Sequence, residues 1–398
     1  MASMGDQAND QMVNRLIAEG ALWSRTLISS FRATPRHAFL DRVFHFSRKQ
    51  EHWREIIVRD PGLEELRLLY SDKALITRLA SPGPGLPPVP ISSSSQPSLM
   101  AEMLEDLKLE AGQRILEVGA GTGYNAALMA GVVGAGLVTS VDVDAEVVSE
   151  AWDHLRKFPD RQVTVQHADG RSGFTETAPF DRIMVTAATD DLEAAWLEQL
   201  APRGLLLAPL ALAPGLAFIV RGAMVEDVFH GRLTRAAYFM PLRAEGETGS
   251  GETVVPLPAG DLQSLRAPWM GWFERRKRRA TWLSFIQSLA FFGYLKRLAI
   301  HYRLVDQASP SFGVSQASAL CWFSPREWQV NGDAGRELGL QLWRAFLDAG
   351  GPWPTEYRLL AGFGVQPEAG RRQSFHMEGP RTHQLWEITE PRDRPGWF

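Results

Sequence analysis

Apolar and polar positions follow three different rhythms along this chain. Over residues 10–30 apolar side chains recur at helical spacing, with Met12, Leu16 and Ile17 on one face, a break at Gly20, and Leu22, Leu27 and Ile28 beyond it. The spacing predicts an amphipathic helix pair. The charged stretch 44–68 is also read as helical, with Trp53, Ile56 and Ile57 as its packing face. Residues 81–90 are rich in proline and glycine and read as a loop, and a helix is predicted over 98–107. From residue 115 the rhythm changes. Short apolar runs at 115–116, 138–142, 163–166, 180–186 and 204–208 alternate with helical stretches at 144–158 and 192–200. Residues 216–220 and 234–241 read as a terminal antiparallel pair. Strands alternating with helices predict a mostly parallel sheet covered on both faces, with ligands at the carboxyl ends of the strands.

A third rhythm begins after residue 243. Residues 244–261 have linker composition, and 262–308 are rich in Trp and Arg and are expected to be helical. A strand at 319–323, a helix at 335–348, a strand at 357–360 and a hairpin over 374–389, turning at Glu378-Gly379-Pro380, predict a small α+β module. The expected division is therefore a helical N-terminal segment at 1–90, a ligand-binding sheet domain at 91–243, a linker at 244–261 and a C-terminal domain at 262–398.

Composition adds an asymmetry. The net charge of the 398 residues is −4. From Gln263 onward there are 18 Lys/Arg and 12 Asp/Glu, a net of +6, which leaves 24 basic and 34 acidic residues, a net of −10, before it. Nine of the thirteen tryptophans lie in that basic part, most of them expected in its core and a minority in a peptide groove. The run Arg275-Arg276-Lys277-Arg278-Arg279 reads first as a solvated helix face and next as an acidic-peptide contact; RNA or an acidic lipid surface is a further reading. Cys321 is the sole cysteine, which excludes a disulfide framework and a cysteine-rich zinc site and suits a reducing cytoplasm. His37, His167 and His301 lack metal-ligand spacing, so no metal is expected. The first twenty residues, which carry Asp6, Asp10, Arg15 and Glu19, hold no apolar run of signal-peptide length, and no stretch approaches a membrane span.

The chemistry centres on residues 115–124, ILEVGAGTGY. An apolar run closing on Glu117 opens into Gly119, Gly121 and Gly123, the pattern of a strand, a tight turn and a helix start, whose free N–H groups and dipole attract a polar ligand. Asp142 ends the next strand, about twenty residues on, where a doubly wound fold grips ribose hydroxyls. Asp169 and Gly170 follow the third strand, at the adenine end. A glycine-rich turn without a ligand is the alternative. The serines of ISSSSQ, residues 91–96, either cap the helix that follows or line the ligand pocket and bind an acceptor carboxylate. Asp190 and Asp191 are read as caps of the helix beginning near Leu192.

From about Val13 to Arg243 the chain resembles the protein-L-isoaspartate (D-aspartate) O-methyltransferase family. The likeness runs through NRLIAEGALWSRTLISSFRATPRHAF, YSDKAL, SSQPSLMAEML, RILEVGAGTGYNAALMA, ADGRSG, FDRIMVTAA, LEQLAPRGLLLAPL and AYFMPL. It implies an α/β, Rossmann-like class I methyltransferase fold and S-adenosylmethionine as cofactor. It places Glu117, Gly119, Gly121 and Gly123 around the methionine part, Asp142 at the ribose, and Asp169 and Gly170 near adenine. The family's acceptor-binding Thr-Ile-Ser falls on Ser93, Ser94 and Ser95. Ser94, Ser95 and Thr186 are then expected to act on the acceptor, with Ser93 on the cofactor side.

The departures are a serine at Ser94 in place of isoleucine, a lengthened segment at 76–90, and a C-terminal module that the repair enzymes of the family are expected to lack. Long, serine-rich variants with such a module look like the methyltransferases associated with ribosomally made modified peptides, including lanthipeptides, lasso peptides and graspetides. The resemblance implies esterification of an aspartate in a modified precursor peptide, leading to aspartimide and, on hydrolysis, isoaspartate. Residues 262–398 would recognise the peptide, and neither a membrane nor a nucleic acid is an expected partner. General isoaspartate repair is the alternative, and a binding protein without activity is a third reading.

Overall fold

The computed structural model describes residues 3–47, 52–59, 61–81, 83–245, 247, 257, 261–269, 281–306, 309–324, 327–364, 366–367 and 373–389, the side chains of 304–306 and 309–310 excepted. The chain forms two compact units. The first comprises Met1–Ala187, Glu193–Ala208 and Phe239–Ser250, and the second Ala188–Leu192, Pro209–Tyr238 and Gly251–Phe398. Residues 209–238, expected with the sheet domain, group with the C-terminal part instead. The basic run 275–279 and most of 244–261 lie outside the described residues.

The first unit begins with α1 (Met4–Ala18) and α2 (Arg25–Ala33). A reciprocal capping box between Ser3 and Asp6 starts α1, and Met12, Val13 and Leu16 are buried along it. The expected helix over 44–68 is mostly sheet. Strands β1 (Arg42–Ser47) and β2 (His52–Ile57) form an antiparallel hairpin, and only α3 (Leu63–Leu69) is helical. Alternation in RVFHFS and HWREII, with β-branched and aromatic residues, outweighs the charge that suggested a helix. β3 (Leu75–Ala80) and β4 (Val89–Ser94) complete a four-stranded sheet in the order β2-β1-β3-β4. The N-terminal segment is thus helical and sheet-forming, and the loop expected at 81–90 gives its last two residues to β4.

α4 (Pro97–Leu107) starts with proline, whose missing N–H is one that a helix start leaves unbonded anyway. Then come β5 (Ile115–Val118), α5 (Tyr124–Val133), β6 (Val138–Asp142), α6 (Ala145–Leu155), β7 (Val163–His167), β8 (Phe180–Val185), α7 (Ala194–Glu198) and β9 (Leu200–Ala213). All neighbouring pairs in the order β9-β8-β5-β6-β7 are parallel. Every residue of β5 is buried, as expected of a parallel strand covered on both faces. The chain runs outward one way from β5 through β6 and β7, then the other way through β8 and β9. The order therefore reverses between β5 and β8, where doubly wound folds open a crevice.

In the second unit β10 (Leu216–Val225) and β11 (Val228–Ala236) form an antiparallel pair as expected, but β11 starts earlier and shares only 234–236 with the strand expected at 234–241. β12 (Gln263–Arg266) and β13 (Ala299–Asp306) bracket α8 (Trp282–Leu295), so 262–308 is only partly helical. β14 (Ser309–Gln316), β15 (Ala319–Phe323), β16 (Glu327–Val330), α9 (Gly332–Asp348), β17 (Tyr357–Gly362), β18 (Ser374–Glu378) and β19 (His383–Ile388) follow. One antiparallel sheet has the order β12-β16-β15-β14-β13, and β10 and β11 continue into β17, β19 and β18. Trp269 is fully buried, edge-on to Phe323, Trp328 and Trp343 at centroid distances of 5.4, 5.7 and 6.1 Å. Such pairs prefer this T-shaped geometry. No helix among the described residues is long and apolar enough to cross a membrane.

Candidate active site

The turn after β5 is built on close backbone approach. Gly119 has φ +101°, and a Cβ there would lie 2.5 Å from Thr186 Oγ1, so no other residue fits. The Thr186 hydroxyl faces the carbonyls of Gly119 and Val118 at 2.8 and 3.0 Å, and its N–H donates to Val118 O at 2.8 Å. Thr186 follows β8, so this contact spans the point where strand order reverses. Its hydroxyl proton and its N–H are both committed to the glycine turn. Thr186 therefore holds that turn.

Gly123, at φ +79°, is the N-cap of α5. A Cβ on it would come within 3.1 Å of Ala151 O and Leu155 Cδ1, so the glycine lets α5 start tightly against α6. Gly121 lies beside β4: its Cβ position is 3.6 Å from Ser93 O.

Glu117 is fully buried beneath the turn. Oε1 accepts from Asn125 Nδ2 at 2.6 Å and Oε2 from Ser140 Oγ at 2.5 Å, which ties β5 to α5 and β6. Burial raises its pKa to about 7; the two hydrogen bonds oppose that rise and nearby Asp142 adds to it. With both oxygens occupied by protein, Glu117 braces the turn from below.

Asp142 is half-buried at the end of β6. Among the described residues it accepts from two backbone N–H groups, those of Gly121 and Asp144, each at 3.2 Å. Burial raises its pKa, with those N–H groups and Arg243 acting in the opposite sense. A carboxylate can accept about four hydrogen bonds, so Asp142 retains capacity for two more. That donor deficit fits a ribose diol. Asp169 caps a short turn and pairs with Arg171, whose Nη2 is 2.8 Å from Oδ2 and whose hydrogen bonds lower the Asp169 pKa. Gly170 accepts from Trp196 Nε1 at 2.7 Å through its carbonyl, and a side chain on it would collide with Val118.

The serines separate by strand alternation. Ser92 and Ser94 point to the buried face of β4, while Ser93 and Ser95 are half-exposed. Ser94 Oγ accepts from Arg36 Nε at 3.3 Å. Ser93 and Ser95 hydroxyls have no protein partner among the described residues. None of the four caps α4. Its N-cap is Gln96, and Asp72 satisfies the first turn, with Oδ1 accepting from Ser98 N at 2.9 Å. Burial works against the charge on Asp72, but the N–H and hydroxyl of Ser98 and the amide of Gln96 hold its pKa below the ordinary value. Asp190 and Asp191 do not cap α7 either, whose N-cap is Glu193.

The site thus gathers Gly119, Gly121, Gly123 and Thr186 around one turn, with Asp142 and Ser93 beside it and Glu117 beneath. Sequence reasoning missed Arg36, Asp72, Asn125 and Ser140, which support these groups. The one available signal was a charged residue inside the family-like TPRHAF.

Comparison with known proteins agrees with this geometry. Residues 78–243 match the family model "Protein-L-isoaspartate(D-aspartate) O-methyltransferase (PCMT)". A protein-L-isoaspartate O-methyltransferase of Halorhodospira halophila is 32% identical over 244 residues, 59% of this chain and 91% of that one. Another, from Ignicoccus hospitalis, is 28% identical over 245 residues, 60% of this chain and 99% of its own length. A solved structure of a protein-L-isoaspartate O-methyltransferase aligns with a TM-score of 0.52 at 22% identity, covering 90% of this chain and 97% of that one. The likeness of fold therefore extends well beyond residue 243, into the part expected to set this chain apart. The chain belongs to the protein-L-isoaspartate O-methyltransferase family, enzymes that use S-adenosylmethionine to methylate carboxylates of proteins.

Proposed function

We propose that the acceptor is an aspartate side chain in a modified, cyclised ribosomal peptide. Attack of the next backbone nitrogen on the methyl ester expels methanol and leaves an aspartimide, which hydrolysis opens to isoaspartate. The observation that carries a carboxylate acceptor is the open face of β4. Just past its end the half-exposed Ser95 hydroxyl has no protein partner among the described residues, and the carbonyl of Ser93, two residues earlier, abuts the glycine turn.

S-adenosylmethionine supplies an electrophilic methyl group on a sulfonium. Asp142 would hold its ribose, and the turn at Gly119 and Gly121 would admit its methionine part. Asp169 and Gly170 are assigned to the adenine end. An aspartate, with a pKa of about 3.9, is already ionised at neutral pH, so the protein needs no strong base. Its contribution is orientation by Ser95 and partial desolvation of the attacking oxygen.

Two features support a tailored peptide over proteins in general: the serine run where the family has Thr-Ile-Ser, and the net charge of +6 beyond Gln263, which would steer an acidic precursor. General isoaspartate methylation is the second reading, and one observation favours it. The fold likeness to a solved family enzyme covers 90% of this chain, so a C-terminal unit does not by itself mark a tailoring enzyme.

Intact-mass measurement after incubation with S-adenosylmethionine separates the two. The full-length protein is expected to methylate an ordinary aspartate in a cyclised acidic peptide and to leave a linear isoaspartyl hexapeptide largely unmodified. The reverse preference assigns the enzyme to repair.

A further inference from the structure

Arg36 is fully buried, yet none of its hydrogen bonds among the described residues goes to a carboxylate. Nη1 donates to Leu69 O at 2.8 Å and Ser71 O at 3.3 Å. Nη2 donates to Lys73 O at 3.1 Å, Ser94 O at 3.2 Å and Ser95 O at 2.8 Å, and Nε to Ser94 Oγ. A buried guanidinium is ordinarily paired with an anion, because removing its charge from water is costly. Here every hydrogen-bond acceptor it has among the described residues is neutral. Burial draws its pKa down to about 10, which leaves it charged at neutral pH. Asp72 is the nearby carboxylate, but its oxygens are taken by Ser98 and Gln96.

Two of the carbonyls facing Arg36 belong to the peptide groups 94–95 and 95–96. In a trans peptide the N–H lies opposite the carbonyl, so the N–H groups of Ser95 and Gln96 point away from the guanidinium. Neither has an acceptor among the described residues, and neither does the Ser95 hydroxyl. Three consecutive donors are thus open, on a segment whose other side rests on a buried positive charge with no direct ion pair among the described residues. That combination suits an anion.

We propose that Arg36 is a positioning residue for the acceptor carboxylate: it fixes the backbone of Ser94 and Ser95 and presents the donors of Ser95 and Gln96 to the incoming anion. This rests on the reading that the acceptor meets Ser95. Arg36 does not touch substrate. It acts through Ser95, and the carboxylate supplies the negative charge that the buried cation lacks.

The test is a double-mutant cycle between Arg36→Lys and Ser95→Ala, read as kcat and KM for the peptide that the wild type methylates, with S-adenosylmethionine affinity by calorimetry. Lysine keeps the charge but loses the planar fork that grips several carbonyls at once. Arg36→Lys alone is expected to lower peptide kcat/KM at least about tenfold while cofactor affinity stays within about twofold. In the Ser95→Ala background the same change should add little, because the two residues share one route. Arg36→Gln, which removes the charge as well, should raise peptide KM further than Arg36→Lys. Fully additive losses, or a lowered melting temperature with unchanged peptide KM in the folded fraction, would overturn the proposal and leave Arg36 a purely structural residue. Should Arg36→Gln fail to fold, the Arg36→Lys cycle alone decides. A wild type that methylates neither aspartyl nor isoaspartyl peptides defeats the proposed function instead, a distinguishable result.

Discussion

Asp191 and Thr382, 191 positions apart, are joined twice: the Thr382 N–H donates to Asp191 Oδ2 at 2.8 Å and its hydroxyl to Oδ1 at 2.6 Å. The Arg381 N–H adds 2.8 Å to Oδ2, and Leu192 N and Gln384 Nε2 approach Oδ1 at 2.8 and 2.9 Å. Asp191 is fully buried, so these donors have no water to turn to. Replacing it by alanine leaves several of them unpaired, at roughly 1–3 kcal/mol each before relaxation. Asp191→Ala should therefore destabilise the second unit by about 3 kcal/mol or more in a denaturant titration. Asp190→Ala, at an exposed residue paired with Arg381, should cost less than about 1 kcal/mol. Equal midpoints for wild type and Asp191→Ala would contradict this.

Asp142→Ala should weaken S-adenosylmethionine binding. Hydrogen bonds to a charged group contribute roughly 1.5–3 kcal/mol each, so the loss should be at least about tenfold. Calorimetry on the folded variant decides it, and an unchanged dissociation constant would remove Asp142 from the site.

The serines should behave differently when replaced one at a time. Ser95→Ala is expected to cut peptide kcat/KM much more than cofactor affinity, because its half-exposed hydroxyl has no protein partner among the described residues. Ser94→Ala removes an acceptor for buried Arg36 and should cost about 1 kcal/mol of stability with a smaller effect on turnover. If Ser94→Ala proved the more damaging to turnover at equal folded fraction, the assignment of the two faces would be wrong.

Glu117 gives a pH dependence with a definite sign. Its pKa rises on folding from an ordinary value of 4.5 to about 7, so the folded state binds this proton more tightly than the unfolded one. The protonated group's contribution is full below about pH 4.5 and is lost as pH rises through about 7, a change of roughly 3 kcal/mol. The amide introduced by Glu117→Gln would keep an acceptor for Asn125 and offer an N–H to Ser140 Oγ without ionising. The variant should lose less stability than wild type between about pH 5 and pH 8. Parallel melting-temperature profiles over that interval would show that Glu117 does not titrate there.

Much of the first unit was legible because its signals are local. The strands around Glu117 and Asp142 are short apolar runs followed by residues that a tight turn requires, and the structure places them close to where the sequence did. The hairpin at 42–57 was not legible in the same way. Its charged residues match a solvated helix face as well as a half-exposed strand, and only pairing across β1 and β2 decides between them. Ser94 and Ser95 look equivalent in sequence. Their difference depends on the pleat of β4 and on Arg36, some sixty positions earlier in the chain. Asp191 illustrates the same limit: next to a predicted helix it reads as a cap, and its partners at 381–384 are visible only in three dimensions.

The anchoring of the last residues of β4 has a consequence for how this enzyme can vary. Arg36 grips Ser94 and Ser95, and Asp72 grips Gln96 and Ser98 just beyond. Residues 81–88, which connect β3 to β4, lie outside both grips. Closing a flexible loop costs only about 0.6 kcal/mol more for each doubling of its length. Residues can therefore be inserted or removed between Ala80 and Val89 without carrying Ser95 along. The hairpin is free to drift in length and composition, while the anchored end of β4 is insulated from that drift.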